Sequence, residues 1–144
     1  SCAVHALVEV EKKMGMDVIS YYQGFQTRAE KVKNSLIKFL IDVKNAGKSI
    51  SAYGAAAKGN TILNFAGIKP DLLPVVYDAA KAKQNKFMPG SHIPILDPKE
   101  LINNRPDYIL ILPWNIATEV KKDLSDLAKK GTKFVTAVPK LEIF

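Results

Sequence analysis

The sequence holds one cysteine, Cys2, one tryptophan, Trp114, and two histidines, His5 and His92. A single thiol excludes an internal disulfide and leaves no cluster of thiolates to hold a metal, so no metal is expected. So little sulfur chemistry fits a reducing, cytoplasmic setting. No apolar run approaches the roughly 20 residues that a membrane span needs, and the start lacks the apolar core of a signal peptide, so no membrane partner is expected. No Ser/His/Asp or Cys/His constellation can be assembled, and carboxylate pairs do not stand out. No catalytic residue is therefore assigned, and by residue chemistry alone the chain reads as a binding module. It has no internal repeat and no low-complexity linker. It opens on Ser1 and not on Met, from which a longer parent chain is expected.

What is present is an ordinary globular composition: 144 residues, 47% hydrophobic and 24% charged. That is one domain's worth of chain, enough to bury roughly two thirds of its unfolded surface. The net charge of +7 is spread over dispersed lysines, including Lys12-Lys13, Lys31, Lys33, Lys121-Lys122 and Lys129-Lys130. These read either as solvated helix faces or as a general preference for anionic small ligands such as nucleotides. Aromatic and basic residues do not interleave as on an RNA-binding sheet, so no nucleic-acid partner is expected.

Periodicity then orders the chain. Residues 4–13 suit a helix or a strand, and Gly15 breaks the pattern. From Val18 onward Tyr21, Phe25, Ala29, Val32, Leu36, Leu40 and Val43 recur at steps of three and four, predicting one long amphipathic helix that Gly47 ends. It is expected to pack on a sheet face or to bridge to a further domain. Strands are predicted at 50–53, 73–78, 108–112 and 133–138, the third an apolar run typical of burial on both faces. Helices are predicted at about 58–66, closed by Gly67, and at 116–130, with Val120, Leu124, Leu127 and Ala128 inward and Gly131 at the end. Alternating strands and helices predict an α/β fold with a small, mostly parallel, doubly wound sheet in the order second, first, third, fourth strand. Residues 79–98 break the alternation: a lysine-rich stretch leads into proline-punctuated, irregular chain, and Asp97-Pro98 reads as a helix start. Loops of this length are more often functional than decorative. The domain boundaries read as a leading segment over 1–17 and the α/β domain over 18–144.

The strand-to-helix turn at Tyr53-Gly54-Ala55-Ala56-Ala57-Lys58-Gly59-Asn60-Thr61 organises this pattern. Gly54 permits the tight turn, Ala56 leaves room for close backbone approach, and Gly59 lets helix and strand pack closely. The spacing fits the dinucleotide fingerprint only loosely, since its middle position is alanine. Lys58 stands where backbone N–H groups favour anions, either as a partner for phosphate or as a solvated lysine. Gly54 to Lys58 is too short for a phosphate-binding P-loop, and no matching aspartate follows. Asn60 and Thr61 either cap the helix or meet ligand. Asp78, 24 residues after Gly54, either takes ribose hydroxyls or simply ends a strand. His92 lies in the irregular loop with no visible acid partner, as a ligand contact or a structural hydrogen-bonder. Trp114 and Asn115 follow the third strand at its carboxyl end, where open α/β sheets bind ligands; edge packing of the tryptophan is the alternative.

Three stretches taken together carry a resemblance. Tyr53 to Thr61 is the first, Phe87-Met88-Pro89-Gly90-Ser91-His92-Ile93-Pro94-Ile95 leading into Asp97-Pro98 is the second, and Leu110-Ile111-Leu112-Pro113-Trp114-Asn115 is the third. Over roughly residues 18–144 the chain resembles the C-terminal domain of S-adenosylmethionine-dependent sugar C-methyltransferases, which methylate a carbon of nucleotide-linked keto-deoxysugars. The resemblance implies a Rossmann-like lobe that helps hold the nucleotide-sugar. It also implies a zinc-binding domain and a methyltransferase domain upstream, the latter binding S-adenosylmethionine and carrying the catalytic base, so this part alone is expected to be inactive and to bind no cofactor. Gly54, Ala56, Lys58, Gly59, Asn60, Thr61, His92, Trp114 and Asn115 are the contacts it carries over. Ser91 stands where the family more often has threonine, and Pro113 where it has alanine, which bears on the path of the loop there. The alternatives are a stand-alone nucleotide or coenzyme A binding module of Rossmann type, and a structural domain that docks partners through the 18–46 helix.

Overall fold

A computed structural model describes residues 2–144, and the chain divides into two compact units, Ser1–Lys31 and Val32–Phe144. In the first unit, α1 (Cys2–Lys13) ends before Gly15, whose φ is +77°. The long helix predicted from Val18 is broken into α2 (Ile19–Tyr22) and α3 (Phe25–Asn45). Gly24 is the reason: its φ of +80° is a left-handed turn that no helix interior accepts. The predicted apolar stripe accordingly divides, with Tyr21 and Phe25 exposed and Leu36, Leu40 and Val43 buried. In the second unit, α3 stops at Gly47, which has φ +65°, as its C-terminal glycine predicts.

The sheet of this second unit has seven strands. They are β1 (Ile50–Tyr53), β2 (Val76–Tyr77), β3 (Lys86–Phe87), β4 (Pro94–Leu96), β5 (Tyr108–Ile111), β6 (Lys133–Thr136) and β7 (Glu142–Ile143). Their order is β3-β4-β2-β1-β5-β6-β7. The central five strands run parallel, and β3 and β7 close the two edges antiparallel. The predicted order of the four principal strands is observed. Two differences stand out: β2 is a two-residue strand where six residues were predicted, and β4 emerges from chain predicted as irregular. Pro94 begins β4, a position where proline's missing N–H costs no ladder bond, and only three residues pair, too few to show alternation.

Both faces of the sheet are covered. Ala52, Val76, Ile95, Leu110 and Val135 face Leu36, Leu40 and Val43 of α3 and Leu63 of α4 (Ala57–Phe65). Tyr77, Ile109, Ile111 and Phe134 face Leu101, Val120 and Leu127 on the other side. The alternation of Ile109, Leu110 and Ile111 between the two layers is the period-two signature of a strand buried on both faces. Each fully buried Leu or Ile contributes about 1.5–3 kcal/mol. The helix predicted over 116–130 is instead a 3-10 turn (Trp114–Ile116), α5 (Ala117–Asp123) and α6 (Ser125–Lys129). The break falls at Leu124, with φ −101° and ψ 20°, among Asp123, Ser125 and Asp126, residues whose side chains compete for backbone hydrogen bonds. It shifts the helical phase, so Val120 and Leu127 are buried while Ala128 is exposed. Asp97 caps a 3-10 turn (Pro98–Ile102) as predicted, its Oδ1 accepting from Lys99 N at 2.9 Å.

At the amino-terminal edge of the sheet, Asp107 ties β5 to β1. Its Oδ2 accepts from both the amide and the hydroxyl of Ser49 at 2.8 Å. These two bonds, the amide first, hold the Asp107 carboxyl below its ordinary value of 3.8.

Candidate functional site

The carboxyl ends of β1, β2 and β5 meet at the opposite edge. Gly54 ends β1 with φ +88°, and a Cβ there would stand 2.6 Å from Pro113 Cδ and 2.8 Å from Pro113 Cγ. Its amide donates to Tyr77 O at 2.7 Å. Pro113 therefore does affect the turn: its ring occupies the space that any side chain at position 54 would need. Gly59 plays the part predicted for it, since a Cβ at this buried position would lie 2.6 Å from Leu112 Cβ. α4 starts at Ala57 with Ala56 at its cap and no side-chain cap bond, so neither Asn60 nor Thr61 caps it. Thr61 is exposed and its hydroxyl donates to Ala57 O at 3.2 Å.

Lys58, Trp114 and Asn115 come together where the first turn of α4 meets the chain after β5. Lys58 Nζ donates to Asn115 Oδ1 at 2.7 Å and sits 5.2 Å from the centre of the Trp114 ring. Such an ammonium–ring contact contributes about 0.5–1 kcal/mol at an exposed site. It holds an exposed cation beside a half-buried indole at the first turn of a helix, where backbone N–H groups point outward.

Asp78 is buried just past β2, and its carboxylate serves the loop. Oδ2 accepts from Ala55 N at 2.7 Å and from Lys83 Nζ at 3.1 Å, while Oδ1 accepts from Ala80 N at 2.8 Å. Lys83 also donates to Ala55 O at 2.9 Å. The pair thus fixes the turn between β1 and α4 from the side of β2. Tyr53, half-buried on β1, has its hydroxyl pushed above 10.0 by burial, then by the charges of Asp123 and Asp78, so it stays protonated at neutral pH.

Beside this loop lies a cavity of about 470 Å³ lined by Ala55, Asn60, Lys83, Phe87, Met88 and Ile95 among others. The turn 88–92 forms part of its surroundings: Asn64 Nδ2 donates to both Asn60 O and Pro89 O at 2.9 Å, tying the turn to α4. His92 is exposed on that turn with φ +59° and donates its amide to Met88 O at 3.0 Å; its side chain is not part of the cavity wall. Residue-by-residue reasoning did not single out Lys83, Phe87 or Met88 as site-forming. The signal available was the lysine-rich stretch before the proline-punctuated loop. Among the described residues, no group of three or more His, Cys, Asp or Glu could hold a metal ion.

Parallel strands covered on both faces, with a glycine turn at the carboxyl end of β1, define a Rossmann-like α/β domain. Solved structures agree on the fold. UDP-D-quinovosamine 4-dehydrogenase from Vibrio fischeri superposes with a TM-score of 0.50 at 19% identity, covering 67% of this chain and 93% of that one. The chain is also 30% identical over 137 residues to the C-methyltransferase NovU of Streptomyces niveus. That alignment takes in 95% of this chain and 33% of NovU, so the chain spans about a third of that curated relative's length. Residues 1–139 match the C-methyltransferase C-terminal domain family, and the chain belongs to that family.

Proposed function

We propose that this chain is the nucleotide-sugar-binding lobe of an S-adenosylmethionine-dependent C-methyltransferase acting on a nucleotide-linked keto-deoxysugar. The observation that carries this reading is the convergence of Lys58, Trp114 and Asn115 at the carboxyl ends of β1 and β5. Lys58 and the first turn of α4 supply positive charge for a diphosphate, Trp114 supplies a flat apolar face, and Asn115 supplies an amide. Gly54, Ala56 and Gly59 allow close backbone approach, whereas Thr61 is exposed along α4 and His92 lies on the turn that enters β4 at its amino-terminal end. Asp78 contributes by shaping the turn, because its oxygens are already bonded to Ala55, Ala80 and Lys83.

The methyl donor belongs elsewhere in this reading. A site for S-adenosylmethionine on a Rossmann turn needs an acid free to take ribose hydroxyls, and the engaged carboxylate of Asp78 does not fit that need. The cofactor and the methyl-transfer residues are therefore assigned to an upstream methyltransferase domain of the parent chain, in a cytoplasmic enzyme.

Titration calorimetry tests the proposal. Uridine and thymidine diphosphates are expected to bind this chain, and Lys58→Gln is expected to weaken them about tenfold or more, the value of one lost charge-assisted hydrogen bond. Tight binding of coenzyme A with none of either diphosphate would favour a stand-alone coenzyme A module. Diphosphate affinity unchanged in Lys58→Gln and Trp114→Ala would refute the assignment of this edge.

A further inference from the structure

The first unit carries an apolar face that nothing within it covers. Among its described residues, 2–31, none is buried. On α1, Val4, Leu7, Val10 and Met14 are each more than half exposed. Met14 continues the helix by one residue, its amide donating to Val10 O at 3.0 Å. The same chain shows the contrasting case: Leu36, Leu40 and Val43 of α3 follow the same steps of four and three and are buried. Apolar side chains gathered on one helix face and left in water mark a surface that a partner covers.

The spacing says what kind of partner. Ala3, Leu7, Val10 and Met14 are four, three and four residues apart. At about 100° per residue they fall within an arc of about 60°. That is the narrow seam by which one helix meets another, whereas a helix laid on a sheet presents a stripe of about 100° or more. Glu11 and Lys13 stand on the two flanks of the seam, where paired helices select each other's charges. Val8 and Lys12, on the far side of α1, line a cavity of about 210 Å³ with Met16 and Tyr22, so the seam points away from the chain that follows α1.

We infer that this seam packs against an amphipathic helix of the upstream part of the parent polypeptide. That helix carries an apolar seam of its own, with a basic residue facing Glu11 and an acidic one facing Lys13. Two observations favour this occupant over a second copy of the chain. The chain spans about a third of NovU, and its family is that of a C-terminal domain, which leaves a long upstream stretch to supply the helix. The seam is also small. Four side chains on a helix of 12 residues fall well short of the about 800 Å² per partner that separate molecules bury in a stable interface. A helix on the same polypeptide needs no such area, because the link gives it an effective concentration of about millimolar. The inference rests on the upstream domain assigned above and adds the surface by which that domain is met.

Hydrogen–deuterium exchange read by mass spectrometry, on the 144-residue chain and on the full parent polypeptide, tests it. In the 144-residue chain α1 is expected to exchange fast, because an uncovered helix of 12 residues is marginal in water. In the parent polypeptide α1 is expected to exchange about 100-fold or more slowly. Leu7→Asp with Val10→Asp in the parent is expected to return α1 to fast exchange, while residues 36–43 of α3 stay as slow as in the native protein. Three results overturn the seam and leave intact the nucleotide reading, whose titrations need only the 144-residue chain. The first is α1 exchanging at one rate in both proteins, and the second is slow exchange that survives the double substitution. The third is a dimer of the 144-residue chain in sedimentation velocity that the double substitution dissociates, which assigns the face to a second copy. A reading frame with no upstream domain overturns both the seam and the parent enzyme.

Discussion

Gly59→Ala tests how α4 is seated on the sheet. The added methyl would stand 2.6 Å from Leu112 Cβ, 3.1 Å from its Cδ1 and 3.2 Å from its Cγ, where carbon atoms rest at about 3.5–4.0 Å. The Cδ1 and Cγ contacts yield to a rotation of the leucine, but the Cβ contact does not. Leu112 cannot retreat easily either, because its amide donates to Tyr53 O at 3.0 Å. The helix must therefore move by about 1 Å, at the roughly 1–3 kcal/mol typical of an overpacked core. Alanine's better helix propensity returns about 1 kcal/mol of that. The net expectation is a loss of up to about 2 kcal/mol, seen as a fall of up to about 8 °C in Tm for a domain of this size. Urea and thermal unfolding followed by far-ultraviolet circular dichroism measure it. Thr61→Ala is the control: it lies on the exposed side of the same helix and gains propensity with nothing to strike, so its stability should be equal or slightly raised. A Gly59→Ala protein that unfolds above the native Tm would refute the close seating of α4 on the chain after β5.

Three further outcomes are expected. Gly54→Ala, at φ +88° and against the Pro113 ring, should cost about 1–2 kcal/mol from the left-handed conformation alone, plus the ring contact. Adding Pro113→Ala should recover at least about 0.5 kcal/mol as a coupling energy in a double-mutant cycle, and strict additivity would dismiss that contact. Asp78→Asn removes the charge facing Lys83 and one of the acceptors of the β1–α4 turn, and should lower the urea-derived stability by about 1–3 kcal/mol. The carboxyl of Asp107 is depressed below 3.8 by Ser49. Its contribution is therefore fully present above the unfolded pKa, and is lost as pH falls below about 4 toward the folded value. Ser49→Ala removes the hydroxyl bond and keeps the amide bond, so it should flatten that acid limb of the urea midpoint against pH only in part, whereas Asp107→Asn should abolish it; a limb unchanged in Asp107→Asn would remove the assignment.

Where burial was strong, the fold was legible in the sequence. Ile109-Leu110-Ile111 reads as a doubly buried strand because nothing polar interrupts it, and Gly47 and Gly67 end their helices with φ of +65° and +66°. Helix breaks were harder to read. Gly24 sits inside an otherwise regular apolar period, and only the backbone reveals that it takes a left-handed turn. Leu124 is a good helix former placed among poor ones, so propensity averaged over the window hides the break. β4 is too short for a period and begins on a proline, so sequence alone could not separate it from loop. At the site, Gly54, Gly59, Lys58, Trp114 and Asn115 come together because all lie near strand ends, a rule that sequence order can apply. The partnership of Asp78 with Ala55 and Lys83 depends on side-chain placement across elements, which no spacing encodes.

The antiparallel strands β3 and β7 have a consequence for handling the protein. A parallel sheet ends in rows of unpaired N–H and C=O groups that template the addition of strands from other molecules. Here the row on β4 is met by two residues, Lys86 and Phe87, and the row on β6 by Glu142 and Ile143. Each outermost strand is too short to extend the sheet by more than one register pair. Each also carries a charge on its exposed edge, and Glu142 is paired with Lys140 at 3.1 Å. Concentrated solutions of the 144-residue chain should therefore resist edge-to-edge aggregation. Lys86→Val and Glu142→Val together should bring it on, with fibrillar or amorphous precipitate where the native protein stays clear.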